Sequence, residues 1–160
     1  MSDDPANSNY YRYHNQTDWQ KQAMDNNSLK NIYIKVTGGD NIAKYALALG
    51  YFSNGGVIKG TDVNRYHTRF NADLNLSRRM TASANLSFTY NDENLRDQGL
   101  SYKTNPIYLS LVKSPFIGIN ELSTTGVKSP DITDTDIFGV SNPVAIINSM
   151  VGLNKNYRFQ

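Results

Sequence analysis

Between residues 64 and 91 the chain alternates with period 2. Even positions Tyr66, Thr68, Phe70, Ala72, Leu74 and Leu76 are mostly apolar, whereas Arg65, His67, Arg69, Asn71, Asp73, Asn75 and Ser77 are polar. The alternation resumes with Ala82, Ala84, Leu86, Phe88 and Tyr90 on one face and Thr81, Ser83, Asn85, Ser87, Thr89 and Asn91 on the other. Successive side chains of a strand point to opposite sides, so this pattern predicts a hairpin with one apolar and one polar face. Two earlier strands are expected, Asn31 to Thr37 with Ile32, Ile34 and Val36 on one face, and Lys44 to Phe52 with Tyr45, Leu47, Leu49 and Tyr51 together; Gly38, Gly39 and Asp40 supply the turn between them. Opposed residues of a hairpin share a face. A two-residue loop Arg78-Arg79 would set polar-face Ser77 against apolar-face Met80. A three-residue loop, Arg78 to Met80, is therefore expected, pairing Leu76 with Ala82, Leu74 with Ala84, Ala72 with Leu86 and Phe70 with Phe88.

The connections alternate in length. Residues 38–43 and 78–80 are short, 53–63 is longer, and 92–154 is one very long excursion that contains two short helical patches, Asn105 to Lys113 and Asn142 to Ser149, each opened by Asn-Pro. Tight turns at one end and long loops at the other are the habit of outer-membrane barrels. Tyr51 closes one strand, Tyr66 opens the next and Tyr90 closes the third, so on an up-and-down meander all three fall at the long-loop end of the apolar face, as one interfacial girdle. The expected fold class is all-β, an antiparallel up-and-down meander that is part of a large transmembrane β-barrel. Its divisions are a loop or lead-in over 1–28, about four barrel strands over 29–91, a long extracellular loop with short helices over 92–154, and the start of the next strand over 155–160.

Composition sharpens this reading. With 20 Asn, 14 Ser, 11 Thr and 11 Tyr in 160 residues the chain is polar and uncharged in character, unlike a helical bundle, which is built from strong helix formers. Its longest apolar run is Tyr45 to Phe52, too short for a membrane-spanning helix of roughly 20 residues. Zero Cys excludes disulfides and thiolate chemistry, and 16 basic against 14 acidic residues give no electrostatic reason to expect nucleic acid. Residues 1–20 have neither the basic nor the apolar region of a signal peptide.

Candidate chemistry is sparse. GGVIKG at 55–60 has phosphate-loop glycine spacing, but Thr61 stands where that motif needs Lys, and it reads as a loop with turn glycines. Asp131, Asp134 and Asp136 could offer oxygen ligands to calcium without the offsets of an EF-hand, and read as solvated loop carboxylates. His14 and His67 are too few for a zinc site, and Asn-x-Ser/Thr triplets at Asn15, Asn26, Asn75 and Asn85 arise by chance in so Asn-rich a chain. No catalytic set stands out and no cofactor or metal is expected. The one weak binding candidate is the aromatic cluster Tyr10, Tyr11, Tyr13 and Trp19, which could stack on sugar rings; the alternative is that these rings pack a loop against its own barrel rim.

Several blocks in order, TDWQ (17–20), KVTGGD (35–40), YALALGYFSNGGVIKGTD (45–62), RYHTRFNADLNL (65–76), NPIYLSLVKSP (105–115), FGVSNPVAIIN (138–148) and NKNYRF (154–159), resemble the SusC/RagA family of TonB-linked outer-membrane transporters of Bacteroidetes-type bacteria. The resemblance implies a plugged twenty-two-stranded barrel in the bacterial outer membrane, a SusD-type lid lipoprotein, a TonB complex, contact with membrane lipid, and import of an oligosaccharide or peptide substrate. On it the chain is an early barrel segment without signal peptide, plug or TonB box, and is not expected to work alone. The alternative is a soluble all-β glycan-binding module whose even-numbered face is a core, since a half-buried antiparallel sheet gives the same alternation.

Overall fold

The computed structural model describes residues 3–7, 9–99, 101 and 103–160. Its elements in order are α1 (Tyr10–Tyr13), α2 (Trp19–Ala23), β1 (Leu29–Gly39), β2 (Ala43–Gly55), β3 (Asp62–Ser77), β4 (Met80–Leu95), α3 (Pro106–Val112), β5 (Asn120–Leu122), β6 (Lys128–Ile132), α4 (Pro143–Ser149) and β7 (Gly152–Phe159). They divide into two units. The sheet unit holds Asn27–Gly56, Thr61–Leu95 and Leu153–Gln160; the loop unit holds the residues up to Asn26 with Val57–Gly60 and Arg96–Gly152.

The sheet is an antiparallel meander in the order β1-β2-β3-β4-β7, consistent with a segment of a β-barrel. Tyr45 faces Gly38 and Ala72, Leu47 faces Val36 and Phe70, and Tyr51 faces Ile32 and Tyr66. β7 returns after the long excursion to pair with β4, where the backbones of Ser87 and Gln160 exchange N–H···O bonds of 2.8 and 3.0 Å. The strands overrun the expected ends: β2 reaches Gly55, β3 begins at Asp62 and β4 reaches Leu95. Alternation of hydrophobicity stops earlier because polar pairs take over. Asp62 accepts from the side-chain amides of Asn64 (2.6 Å) and Asn94 (2.7 Å), while the backbone ladder continues beneath them.

The β3–β4 register differs from the expected one. Leu74 opposes Ala82, Ala72 opposes Ala84, Phe70 opposes Leu86 and Thr68 opposes Phe88, a slide of two residues. Ser77 does oppose Met80 across a two-residue Arg78-Arg79 turn, and an irregularity between Asn75 and Ser77 restores the phase. A three-residue hairpin loop needs a residue with positive φ, usually Gly. The turn has no Gly, and among the described residues no non-glycine has positive φ. The favoured two-residue turns, types I′ and II′, need positive φ as well; the chain closes instead with Arg78 and Arg79 at negative φ, and the mismatch is taken up at Leu76 as a bulge, which inserts one residue without flipping the faces beyond it. The β1–β2 turn has the glycine that its geometry demands. Gly39 sits at φ 142°, where a Cβ would also run into the Ala43 carbonyl. Asp40 Oδ1 accepts from the backbone N–H groups of Ile42 (2.7 Å) and Ala43 (2.8 Å), which hold its carboxyl below the ordinary carboxylate range.

The loop unit is built around α2, α3 and α4, with Ala23, Ile58 and Ile147 buried together and Ile107 against them. Ile58 belongs to the glycine-rich 55–60 segment, so that segment is more than a turn. Its backbone bridges to Met24, and flanking bonds join Lys59 N to the Ala23 carbonyl (3.0 Å) and Asp25 N to that of Val57 (2.9 Å). Both Asn-Pro sequences start helices as expected, and the two Asn side chains accept from first-turn N–H groups. Their burial separates them. Asn142, 1% exposed, also donates to the carbonyls of Ile119 and Thr133 and to the Thr133 hydroxyl, whereas Asn105 adds only an exposed bond to Gly99. Asn142→Ala is therefore expected to cost about 3 kcal/mol, combining a lost cap with stranded buried carbonyls, against about 1 kcal/mol for Asn105→Ala. Urea unfolding followed by Trp19 fluorescence checks the difference, and equal losses would contradict it.

Candidate membrane-facing sheet and loop aromatics

The two faces of the sheet differ in chemistry row by row. On the apolar face the cross-strand rows run Val36, Leu47, Phe70, Leu86, then Ile34, Leu49, Thr68, Phe88, then Ile32, Tyr51, Tyr66, Tyr90. In the last row the rings form a continuous ladder: centroids are 5.1 Å apart for Tyr51–Tyr66, 5.9 Å for Tyr66–Tyr90 and 4.7 Å for Tyr90–Tyr157. Phe88 and Phe159 meet one row below at 4.7 Å. Direct cross-strand neighbours interact most strongly, and aromatic pairs add about 0.5–1.5 kcal/mol to area burial. Beyond the tyrosines the same face turns polar, with Lys30, Ser53, Asn64 and Asp92. From Tyr66 to Leu74 the apolar band covers roughly 27 Å of strand. At the tilt of a barrel strand, about 35–45°, this is roughly 19–22 Å of height, close to the ~25 Å apolar band of outer-membrane barrels.

This face is not covered. Ile32, Ile34, Val36 and Leu86 are 54–60% exposed, and none of the buried apolar residues, Trp19, Ala23, Ala48, Ile58, Leu109, Ile117 and Ile147, lies on it. The opposite face is a hydrogen-bonded polar lattice: Arg65 Nε donates to Asn91 Oδ1 (2.9 Å), His67 Nδ1 and Thr89 Oγ1 are 3.0 Å apart, Ser83 Oγ donates to Asp73 Oδ1 (2.7 Å) and Thr81 Oγ1 to Asn75 Oδ1 (3.2 Å). No helix among the described residues is long and apolar enough to cross a membrane.

The loop aromatics separate. Tyr10 stacks on His14 at 4.0 Å and meets Tyr11 edge-on at 5.3 Å, and the Arg12 guanidinium lies 5.9 Å from the Tyr13 ring. Tyr11 is exposed, and Tyr10 and Tyr13 are half-buried. Trp19 is 3% exposed, with its indole N–H donating to the Ser114 carbonyl at 2.9 Å, so its ring is committed to the interior. Beside it lies a buried ion pair that sequence reading missed. Lys113 Nζ is 5.8 Å from the Trp19 ring centroid, 3.4 Å from Asp136 Oδ2 and 2.8 Å from the Val140 carbonyl oxygen, with both charged side chains at most 2% exposed. Burial pushes the Lys113 ammonium down, and Asp136 opposes that shift. Asp136 is thus no solvated loop carboxylate. Its Oδ1 accepts from the N–H groups of Phe138 (3.0 Å) and Val140 (2.9 Å), a turn that the spacing of Asp136 and Gly139 could have signalled. Asp131 and Asp134 accept local bonds from Ser129 and Thr135, and no cluster of metal-ligating residues occurs among the described residues.

No protein-family model matches the chain. Two curated proteins of Formosa agariphila are similar to part of it. TonB-dependent receptor P3 is 27% identical over 78 residues, 49% of this chain and 8% of the receptor. TonB-dependent receptor P26 is 25% identical over 76 residues, 48% of this chain and 8% of the receptor. Both are TonB-dependent receptors by name. The likeness is partial, and it supports the TonB-dependent receptor family for a stretch of about half the chain. The chain spans less than a tenth of the length of either relative.

Proposed function

We propose that the chain forms part of the barrel wall of a TonB-dependent outer-membrane importer of the SusC/RagA kind, and acts in transport rather than catalysis. The observation that carries this reading is the four-ring tyrosine ladder bordering an exposed apolar band on one face of a sheet whose other face is a polar lattice. Lipid on the apolar face, and a tyrosine girdle where the hydrocarbon ends, account for both features without a second layer of protein. In this reading the polar face looks into the pore and the long connections 53–63 and 92–154 lie outside the cell, where a SusD-type lipoprotein would meet them. The cargo is an oligosaccharide or peptide, and TonB energises its import. Tyr10, Tyr11 and Tyr13 are the aromatic rings within reach of a sugar, whereas the Trp19 ring is committed to the interior. A soluble glycan-binding module would use the even-numbered face as its core, and the exposure of that face argues against it.

Tryptophan placed at 70 or 88 in the full-length protein is expected to be quenched by brominated lipid, and tryptophan at 71 or 87 is not. The signal of native Trp19 is subtracted using the parent protein. Equal or absent quenching at all four positions would overturn the membrane reading.

A further inference from the structure

The polar face carries an uneven distribution of charge: alternation puts Arg65, His67 and Arg69 side by side on β3, and the register adds Lys35 from β1 and Arg158 from β7. Three consecutive rows of that face contain Arg65, then His67 and, on β7, Arg158, then Lys35 and Arg69. Four full cations and a histidine stand there without a carboxylate in the same rows. Glu93 lies one row beyond, where it accepts from Asn154 Nδ2 at 3.1 Å. Two rows toward the short turns, Asp73 stands directly opposite Lys44. Among the described residues no carboxylate comes within 4.0 Å of Lys35, Arg65, Arg69 or Arg158. Four of the chain's 16 Lys and Arg residues stand in these three rows, although the chain as a whole is nearly balanced at a net charge of +2.

The belt spans roughly 14 Å along the strands and roughly 19 Å across them. Cations so spread do not converge on one small ion; they match a ligand that carries several anionic groups along its length. Arginine forks bind carboxylate or sulfate through two parallel hydrogen bonds. Between the cations stand Asn, Ser and Thr side chains, and the flat ring of Tyr33 lies beside Gly50, where a Cβ would already be 3.6 Å from Tyr33 Cδ2. Hydroxyl-pairing groups and an open aromatic face between cations suit a sugar chain better than a peptide. The three rows straddle the level of the tyrosine ladder, at the long-connection end of the strands; the charged residues of the next three rows are Lys44 and, opposite it, Asp73, with Arg78 and Arg79 beyond them at the β3–β4 turn. A charged belt at one end of a low-dielectric pore raises the local concentration of oppositely charged solute where that solute enters.

We propose that this belt selects the cargo, an oligosaccharide bearing repeated carboxylate or sulfate groups in preference to a neutral one. The inference rests on the transporter reading above and deepens it. The test uses the full-length protein in detergent, titrated with hexagalacturonate, sulfated maltohexaose, neutral maltohexaose and hexaglutamate. An anionic sugar is expected to bind at least about tenfold more tightly than maltohexaose, and to weaken as salt rises from about 50 to about 500 mM. The better of the two anionic sugars identifies the anion. The triple variant Arg65→Gln/Arg69→Gln/Arg158→Gln is expected to lose most of that preference while retaining its heat-modifiable migration on gels and its weak affinity for maltohexaose. Equal binding of charged and neutral sugars, binding of none of the probes, a preference unmoved by the triple variant, or tightest binding of hexaglutamate would each overturn the assignment. Failure here together with positive lipid quenching at 70 and 88 removes the cargo inference alone; absent quenching removes the transporter reading itself.

Discussion

Replacing Lys113 with methionine is expected to destabilise the loop unit by about 3–5 kcal/mol, because it leaves the Asp136 carboxylate buried and uncompensated. Asp136→Asn should be comparably harmful, since Lys113 would then be a buried cation with only carbonyl oxygens for partners, the Asp134 oxygen at 3.4 Å and the Val140 oxygen at 2.8 Å. The double variant Lys113→Met/Asp136→Asn is expected to recover most of the loss. It removes both charges, and an asparagine Oδ1 can still accept from Phe138 N and Val140 N, which keeps the 136–140 turn closed. Buried ion pairs are costly to break by halves and cheap to replace whole, because the desolvation penalty attaches to each charge separately. Trp19, the chain's one tryptophan, sits against Lys113 and supplies the readout in urea unfolding. Single losses under about 1 kcal/mol that simply add in the double variant would contradict the coupling.

Phe70→Arg is expected to be the most damaging single charge on the sheet, at about 2–4 kcal/mol in a lipid bilayer, with Leu74→Arg and Tyr66→Arg, at the two ends of the apolar band, falling toward about 0–1 kcal/mol. The observed register carries this ordering. Phe70 opposes Leu86 and Leu47 in the middle of the apolar band, whereas Tyr66 lies in the girdle row. Asn71→Arg, one residue away on the polar face, should be nearly neutral. The three apolar-face residues are similarly exposed within the chain, 46% for Tyr66, 38% for Phe70 and 41% for Leu74, so burial within the protein predicts no such gradient. Depth in a bilayer does. Equilibrium unfolding of the full-length protein from lipid vesicles reads it, and a flat series across the three sites would contradict the membrane assignment.

Much of the sheet was legible because its signals are local. A strand repeats every two residues, so a half-apolar face is written into the order of Tyr66, Phe70, Leu74, Leu86 and Phe88 without knowledge of any partner. The tyrosines could be placed at one end because hairpin connectivity fixes which ends coincide, and Tyr157, which completes the ladder, falls on the strand after the long excursion. Asn-Pro predicts a helix start through capping and the fixed φ of proline, and both helices begin there. The strand ends were less legible. Polar pairs such as Asn64–Asp62 and Asn94–Asp62 keep the ladder going with no apolar residue to mark it.

The aromatic cluster shows the limit most plainly. Tyr10, Tyr11, Tyr13 and Trp19 are close in sequence and equally aromatic, yet one is buried and the others line the surface to differing degrees, because Trp19 finds the Ser114 carbonyl 95 residues away. Asp131, Asp134 and Asp136 looked alike for the same reason, yet of the three carboxylates it is that of Asp136 that pairs with Lys113.

By itself the sequence determined the class of sheet, which residues share a face, where the two Asn-Pro helices start and that one face is apolar, since each of these follows from spacing of a few residues along the chain. Only the tertiary structure decided the β3–β4 register, the burial of Ile58 from a glycine-rich loop, the pairing of Lys113 with Asp136 and the gathering of Lys35, Arg65, Arg69 and Arg158 into one belt. Each of these joins residues distant in sequence, or turns on a single bulge at Leu76. Their energies depend on which groups meet out of water, and period-2 spacing along one strand carries no information about that meeting.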